Sequence, residues 1–204
     1  MNPIETSIGI KMKISEIFYS LQGEGYWAGI PAVFVRFSGC NRFCSFCDTQ
    51  HNFFSTMSVK DILQKVMSLG SARRVVVTGG EPMTQLEGFH DLSLAFAAAG
   101  YEVHLETNGD FEVDPSEVDW LTVSPKGPEW KQKIGDEIKV VYTGQSKEEL
   151  EQYLESSDKV YFKHRFLQPC STPEGSNVEA TVEYIKADPR WRLSLQIHKL
   201  IGVR

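Results

Sequence analysis

The chain has no run of lysine or arginine longer than two residues, and its formal charge is −6 over 204 residues. Phosphate backbones are held by clustered cations, so no direct nucleic-acid surface is expected. No apolar stretch approaches the ~18 residues that span a bilayer, and the first 20 residues lack the apolar block of a secretory leader. Cysteine is sparse as well. There are four, three of them clustered, as in cytosolic chains whose thiols stay reduced and bind metals. These absences point to a cytoplasmic protein with reduced thiols, acting on a small molecule or a protein and on no membrane. Repeats, low-complexity tracts and linkers are also missing. A composition of 41% hydrophobic and 24% charged residues suits one domain with a substantial core. Residues 1–204 are therefore expected to form a single unit, with 1–11 as an irregular arm.

What is present is alternation. "AVFVRFS" (32–38), "RRVVVTG" (73–79), "YEVHLE" (101–106), "WLTVS" (120–124), "EIKVVY" (137–142), "VYFKHRF" (160–166) and "RLSLQ" (192–196) are short β-branched or aromatic runs that read as strands. Between several of them lie helical patterns. "SVKDILQKVMSLG" opens on Ser58 with Asp61 three residues on. "SKEELEQYLES" and "SNVEATVEYIKADP" repeat that capping signature with Ser146/Glu149 and Ser176/Glu179. "TQLEGFHDLSLAFAAAG" closes at Gly100. Alternating strands and helices predict a parallel sheet. The stretch from Glu106 to Trp120 is too polar, and too interrupted by Pro115, to hold a crossover helix. A complete eight-fold barrel takes roughly 250 residues, so the pattern predicts an abbreviated, partial (β/α) barrel.

Three of the four cysteines fall within eight positions, in "GCNRFCSFCDTQH" (39–51). Three neighbours cannot pair off among themselves, so a metal or cluster is expected. The stretch follows the strand "AVFVRFS", which places it in a βα-loop, on the face where barrels build active sites. Structural zinc wants four ligands. His51 offers a fourth, but without the long spacer usual between paired zinc ligands. A cubane held by three thiolates leaves one iron open to chelate a cofactor. C-x3-C-x2-C with Phe46 before the last cysteine resembles the signature of the radical S-adenosylmethionine superfamily.

The resemblance extends further. "EIFYSLQGEGYWAG", "FVRFSGC", "CDTQH", "VVVTGGEPM", "LETNG", "VSPK", "LQP" and "WRLSLQIHK" occur in that order. Together they resemble the 7-carboxy-7-deazaguanine synthase family, radical lyases of queuosine biosynthesis, a tRNA modification pathway. The match runs from about Ile14 to the C-terminus. It implies a [4Fe-4S] cluster on Cys40, Cys44 and Cys47, with S-adenosylmethionine and Mg²⁺ as cofactors. It also implies a pterin substrate, a flavodoxin or ferredoxin reductant, and a homodimer.

Each motif also has a plainer reading. "LQGEG" is otherwise a glycine turn; the resemblance has Leu21, Gln22 and Gly23 line the pterin, with Glu24 as a further candidate. Arg36 interrupts an apolar strand. It is either paired with a structural carboxylate or, as the resemblance implies, with the substrate's carboxylate, which a guanidinium fork suits. "TGGEP" is otherwise a tight turn before Pro82; the resemblance puts Thr78 on substrate, and Gly80 and Glu81 on the cofactor's methionine end. It likewise assigns Phe46, Asp48, Glu106, Asn108, Ser124, Pro125, Lys126, Gln168, Pro169, Cys170 and Ser171 to the cofactor. Cys170 is otherwise a small packed thiol. Thr49, otherwise a loop residue bonding its own backbone, is implied as a Mg²⁺ ligand. His198 and Arg204 are implied substrate contacts, although the family carries Thr where this chain has Ile197, and the tail "LIGVR" departs from the family's. Two rivals share parts of the pattern: a glycyl-radical-activating enzyme and a non-catalytic zinc-binding module.

Overall fold

The structure, a computed structural model, describes residues 9–49, 53–154, 161–173 and 175–204. His51, the zinc alternative's fourth ligand, lies outside the described residues, as do 1–8 of the arm.

Nine strands form one sheet. In chain order they are β1 (Lys11–Leu21), β2 (Pro31–Phe37), β3 (Ser55–Ser58), β4 (Arg74–Gly79), β5 (Glu102–Thr107), β6 (Trp120–Val123), β7 (Ile134–Tyr142), β8 (Tyr161–Pro169) and β11 (Arg192–Leu193). Two further strands, β9 (Ser171–Thr172) and β10 (Gly175–Ser176), make a small separate hairpin. The order across the sheet is β11-β8-β7-β6-β5-β4-β2-β1-β3. From β2 to β11 every pairing is parallel, and each crossover steps to the next strand. That is the predicted partial barrel.

The helices are α1 (Val59–Leu69), α2 (Leu86–Ala98), α3 (Lys147–Glu151), α4 (Val178–Ala187) and α5 (Ile197–Ile201). They start where local chemistry says. Ser58 and Asp61 form a reciprocal capping box on α1, and Ser146 and Glu149 one on α3. The third expected box is absent. Ser176 sits in β10, and the N-cap of α4 is Asn177, whose side chain makes no cap. The Asn177 amide instead donates to the Tyr142 carbonyl at 2.8 Å and accepts from Cys170 N–H at 2.8 Å. Tying the ends of β7 and β8 together takes the place of capping.

Two other expectations change. The three-cysteine loop leads first into β3, antiparallel to β1, before α1 begins, so an edge strand intervenes in that βα-loop. His198 and Lys199 lie in α5 and not beyond a long last strand, since β11 stops at Leu193. Between β5 and β6 there is only a 3-10 turn over Pro115–Glu117, as the Pro115 argument anticipated.

Period-two alternation sorts the strands' side chains. Val75, Val77, Val103 and Leu105 join Ile62, Val66, Phe89, Leu92 and Phe96 in the main core. Burying each such side chain contributes about 1.5–3 kcal/mol. The opposite face carries a small apolar cluster of Phe18, Ala32, Phe34 and Val76, and beyond it polar residues. Trp27, on the segment joining β1 to β2, packs edge-on to Trp120 at 5.3 Å, with the Arg74 guanidinium 4.3 Å above its ring. Arg74 Nε donates to His104 Nε2 at 3.0 Å. Burial, then the Arg74 charge, pushes His104 down to about 3, so this plug is built on a neutral imidazole.

Candidate active site

The strands' C-terminal ends point Arg36 (β2), Thr78 (β4), Glu106 (β5), Thr122 (β6), Lys139 (β7) and Gln168 (β8) into one cavity. Register makes neighbours of Arg36 and Thr78, of Glu106 and Thr122, and of Val141 and Gln168. The mouth of this cavity is rimmed by Cys40, Cys44, Cys47, Phe46, Asp48 and Thr49. A second cavity adjoins it. Leu21, Gln22, Gly23, His198 and Arg204 line the second, and Glu24, Arg36, Asp48, Thr78, Glu106 and Gln196 are shared walls.

The division matches the two sets of residues singled out above. Those attributed to substrate all line the second cavity. Those attributed to cluster, Mg²⁺ and cofactor line the first, including Gly80, Asn108, Ser124, Lys126, Pro169, Cys170 and Ser171. Glu81 and Pro125 line neither and are buried. Glu81 accepts Thr107 Oγ1–H at 2.7 Å, Asn108 N–H at 2.6 Å and Met83 N–H at 3.1 Å. It braces the turn that carries Asn108 rather than facing the cavity, and burial pushes its carboxyl up despite these donors.

The three-cysteine loop is held from outside. Arg42 makes a two-pronged pair with Asp110, at 2.5 and 2.6 Å, and Asn41 donates to the same carboxylate at 2.6 Å. Asn108 closes the link by donating to Asn41 Oδ1 at 2.8 Å. Cys40 and Cys44 are half-buried and Cys47 is exposed. Burial pushes the Cys40 thiol up, as do Glu81, Cys44 and Cys47, against the Arg42 N–H. Thiols close enough to oppose each other's ionisation suit a cationic group placed among them. Among the described residues no three His, Cys, Asp or Glu side chains are gathered for a single metal ion. A cluster whose irons each take one thiolate needs no such common point.

Arg36 has the structural carboxylate partner of its plainer reading. Its Nε donates to Glu16 on the neighbouring strand at 2.9 Å, while its side chain walls both cavities. Gln22 Nε2 and Thr78 Oγ1 donate to the two oxygens of Glu106 at 2.9 and 3.0 Å. Beneath lies a group the motifs did not indicate. Lys139, 4% exposed, is paired with Glu24. Burial works against its charge, but Glu106, Glu24 and Glu137 outweigh burial and hold Lys139 protonated. Burial opposes ionisation of Glu24, and Lys139 overrides it. Glu137, 2% exposed, is pushed up by burial to about 7 although Lys139 and the Tyr26 N–H favour its charge. The signal was in "EIKVVY": Glu137 and Lys139 alternate with Ile138 and Val140, so both charges face inward.

The tail closes the second cavity. Ile197 N–H donates to the Gly23 carbonyl at 2.9 Å, Gln196 Nε2 to Glu24 at 2.8 Å, and Lys199 pairs with Asp48 at 2.6 Å. Ser194, also missed, accepts Gly25 N–H at 3.0 Å and donates to Gln168 at 3.1 Å.

A partial parallel barrel with three cysteines rimming a cavity at its strand ends defines a radical S-adenosylmethionine protein, and residues 34–160 match the radical SAM superfamily. Among curated proteins, 7-carboxy-7-deazaguanine synthase of Bacteroides thetaiotaomicron is 46% identical, covering 94% of this chain and 98% of that one. The synthase of Haemophilus influenzae is 36% identical, covering 93% of each. The crystal structure of QueE from Escherichia coli superposes with a TM-score of 0.74 at 26% identity, over 96% of this chain and 98% of that one. The chain belongs to the 7-carboxy-7-deazaguanine synthase family.

Proposed function

We propose that the protein is a lyase converting 6-carboxy-5,6,7,8-tetrahydropterin to 7-carboxy-7-deazaguanine with release of ammonia. The observation that carries this is the pair of abutting cavities, one rimmed by three thiols and one floored by an arginine, sharing Arg36, Thr78 and Glu106 as walls. When bound, the [4Fe-4S] cluster and S-adenosylmethionine supply a 5′-deoxyadenosyl radical that takes a hydrogen atom from the pterin.

The chain's own part is to bind and orient. Cys40, Cys44 and Cys47 would hold the cluster, three thiolates leaving one iron open for the cofactor. Asn108, Ser124, Lys126 and the Gln168–Ser171 strand end line the cofactor's space. The Arg36 fork takes the substrate's carboxylate. Gln22, Gly23 and His198 close on the ring, whose edge carries amide-like donors and acceptors. Thr49 would offer Mg²⁺ one hard oxygen, the ligand type that ion prefers. α5 shuts out water while positioning is completed. The reductant is a flavodoxin or ferredoxin, and the working assembly is a cytoplasmic homodimer of single-domain chains. Among the described residues no helix is long and apolar enough to cross a membrane.

The test is anaerobic turnover of the reconstituted enzyme with S-adenosylmethionine, Mg²⁺, a reductant and the carboxylated tetrahydropterin. Deazaguanine product and ammonia are expected in equal amounts. Cys40→Ala, Cys44→Ala and Cys47→Ala should each abolish cofactor cleavage while Cys170→Ala keeps its cluster. Cofactor cleavage in the wild type without deazaguanine formation would sink the substrate assignment.

A further inference from the structure

We infer that Glu16, on β1, is a positioning residue that holds two arginines ready for the substrate's carboxylate. The inference rests on the proposed reading of Arg36 as that carboxylate's anchor. Glu16 and Arg36 are register partners across β1 and β2. Oε1 of Glu16 accepts Arg36 Nε–H at 2.9 Å, and Oε2 accepts from Nη2 of Arg204. Ser20 Oγ donates to the Arg204 carbonyl at 2.5 Å and pins the tail to the same strand.

Both guanidiniums lie over one ring. Their central carbons stand 5.8 Å (Arg36) and 5.0 Å (Arg204) from the Phe18 centroid, and Phe18 stacks on Phe34 at 5.1 Å with an interplanar angle of 8°. Phe18, Phe34, Arg36 and Arg204 all line the second cavity. An isolated cross-strand ion pair would show neither the second arginine nor the shared aromatic platform. Glu16 takes Arg36 at Nε, which leaves the Nη1/Nη2 end as a fork of two parallel donors. Two guanidiniums share one carboxylate, so among the described residues neither is capped by a partner of its own. Fixing a guanidinium by one side and presenting the other lowers the entropy lost on binding.

The experiment compares Glu16→Gln with Glu16→Ala in the cluster-loaded enzyme. Both lose the charge, but only the amide keeps an acceptor for Arg36 Nε. The readout is the ratio of competitive inhibition constants for oxidised pterin with and without its 6-carboxylate. Glu16→Ala should lower the wild-type preference for the carboxylated pterin about tenfold, and Glu16→Gln should stay within about threefold of wild type. Arg204→Ala, on the exposed tail and requiring no repacking of the sheet, should lower the ratio by a few-fold. Equal losses in the two Glu16 variants would mean that charge alone matters, and would overturn the positioning role. So would a wild-type ratio in Arg204→Ala, or in a folded Glu16→Ala. Failure of the wild type to turn over the carboxylated tetrahydropterin is a separate result. It would remove the proposed function before either variant is compared.

Discussion

A Cβ at Gly23 would lie 1.9 Å from Nδ1 of His198, and one at Gly25 2.1 Å from Oε1 of Glu137. Gly25 also has φ +66°, in the left-handed region. The two glycines of "LQGEG" are thus set by neighbours more than 100 positions away, one closing the cavity and one under it. Gly23→Ala should push His198 and α5 off the second cavity. The KM for the pterin is then expected to rise by an order of magnitude or more, with cofactor cleavage in the absence of substrate little changed. Steady-state kinetics with and without pterin would show it, and an unchanged KM would refute the contact. Glu137 gives a pH signature. Its folded-state value, about 7, lies above the ordinary 4.5. As pH rises between those values, the unfolded chain releases a proton that the folded chain keeps, so this group's contribution is full below 4.5 and is lost by about pH 7. Denaturant melts should therefore show wild type losing stability relative to Glu137→Gln as pH climbs through that window. A constant difference would mean that Glu137 is ionised alongside Lys139.

The three-cysteine loop depends on a neighbouring element rather than on its own sequence. Arg42 and Asn41 converge on Asp110, just past β5, with Asn108 donating to Asn41, and Asp110 is only 14% exposed. Asp110→Asn should leave the fold intact but loosen the loop by about 1–2 kcal/mol. Iron and sulfide content after reconstitution, and the rate of cluster loss to a chelator, should reveal the defect. Equal retention in variant and wild type would show that the thiolates alone hold the loop. Legibility at this scale followed range. The boxes at Ser58 and Ser146 were readable because every atom involved lies within four residues. The one at Ser176 failed because Asn177 bonds to Tyr142, 35 positions away. β3 was not anticipated, since three polar residues and one methionine become a strand only against the edge that β1 presents.

One sheet runs from β11 to β3 with a core spread along its length, so no described segment has a core of its own. The cluster-free chain should unfold in a single transition, with tryptophan fluorescence and far-UV circular dichroism coincident. Separated transitions would show that the chain comprises more than one cooperative unit. Sequence by itself determined the strand–helix alternation, two of three capping boxes, the missing crossover helix before Trp120 and the thiol spacing. All of these depend on neighbours along the chain and on residue chemistry that context does not change. Resemblance to a family then named many of the residues that line the two cavities, though not Lys139, Phe18 or Phe34, and without saying how they meet. Tertiary structure alone decided that Glu81 braces and does not line, that Glu16 gathers Arg36 and Arg204, and that Lys139 lies among three carboxylates. Each depends on side chains from different strands meeting in a shielded space, where charge interactions strengthen and unpaired polar groups become costly. No single stretch of sequence carries that information.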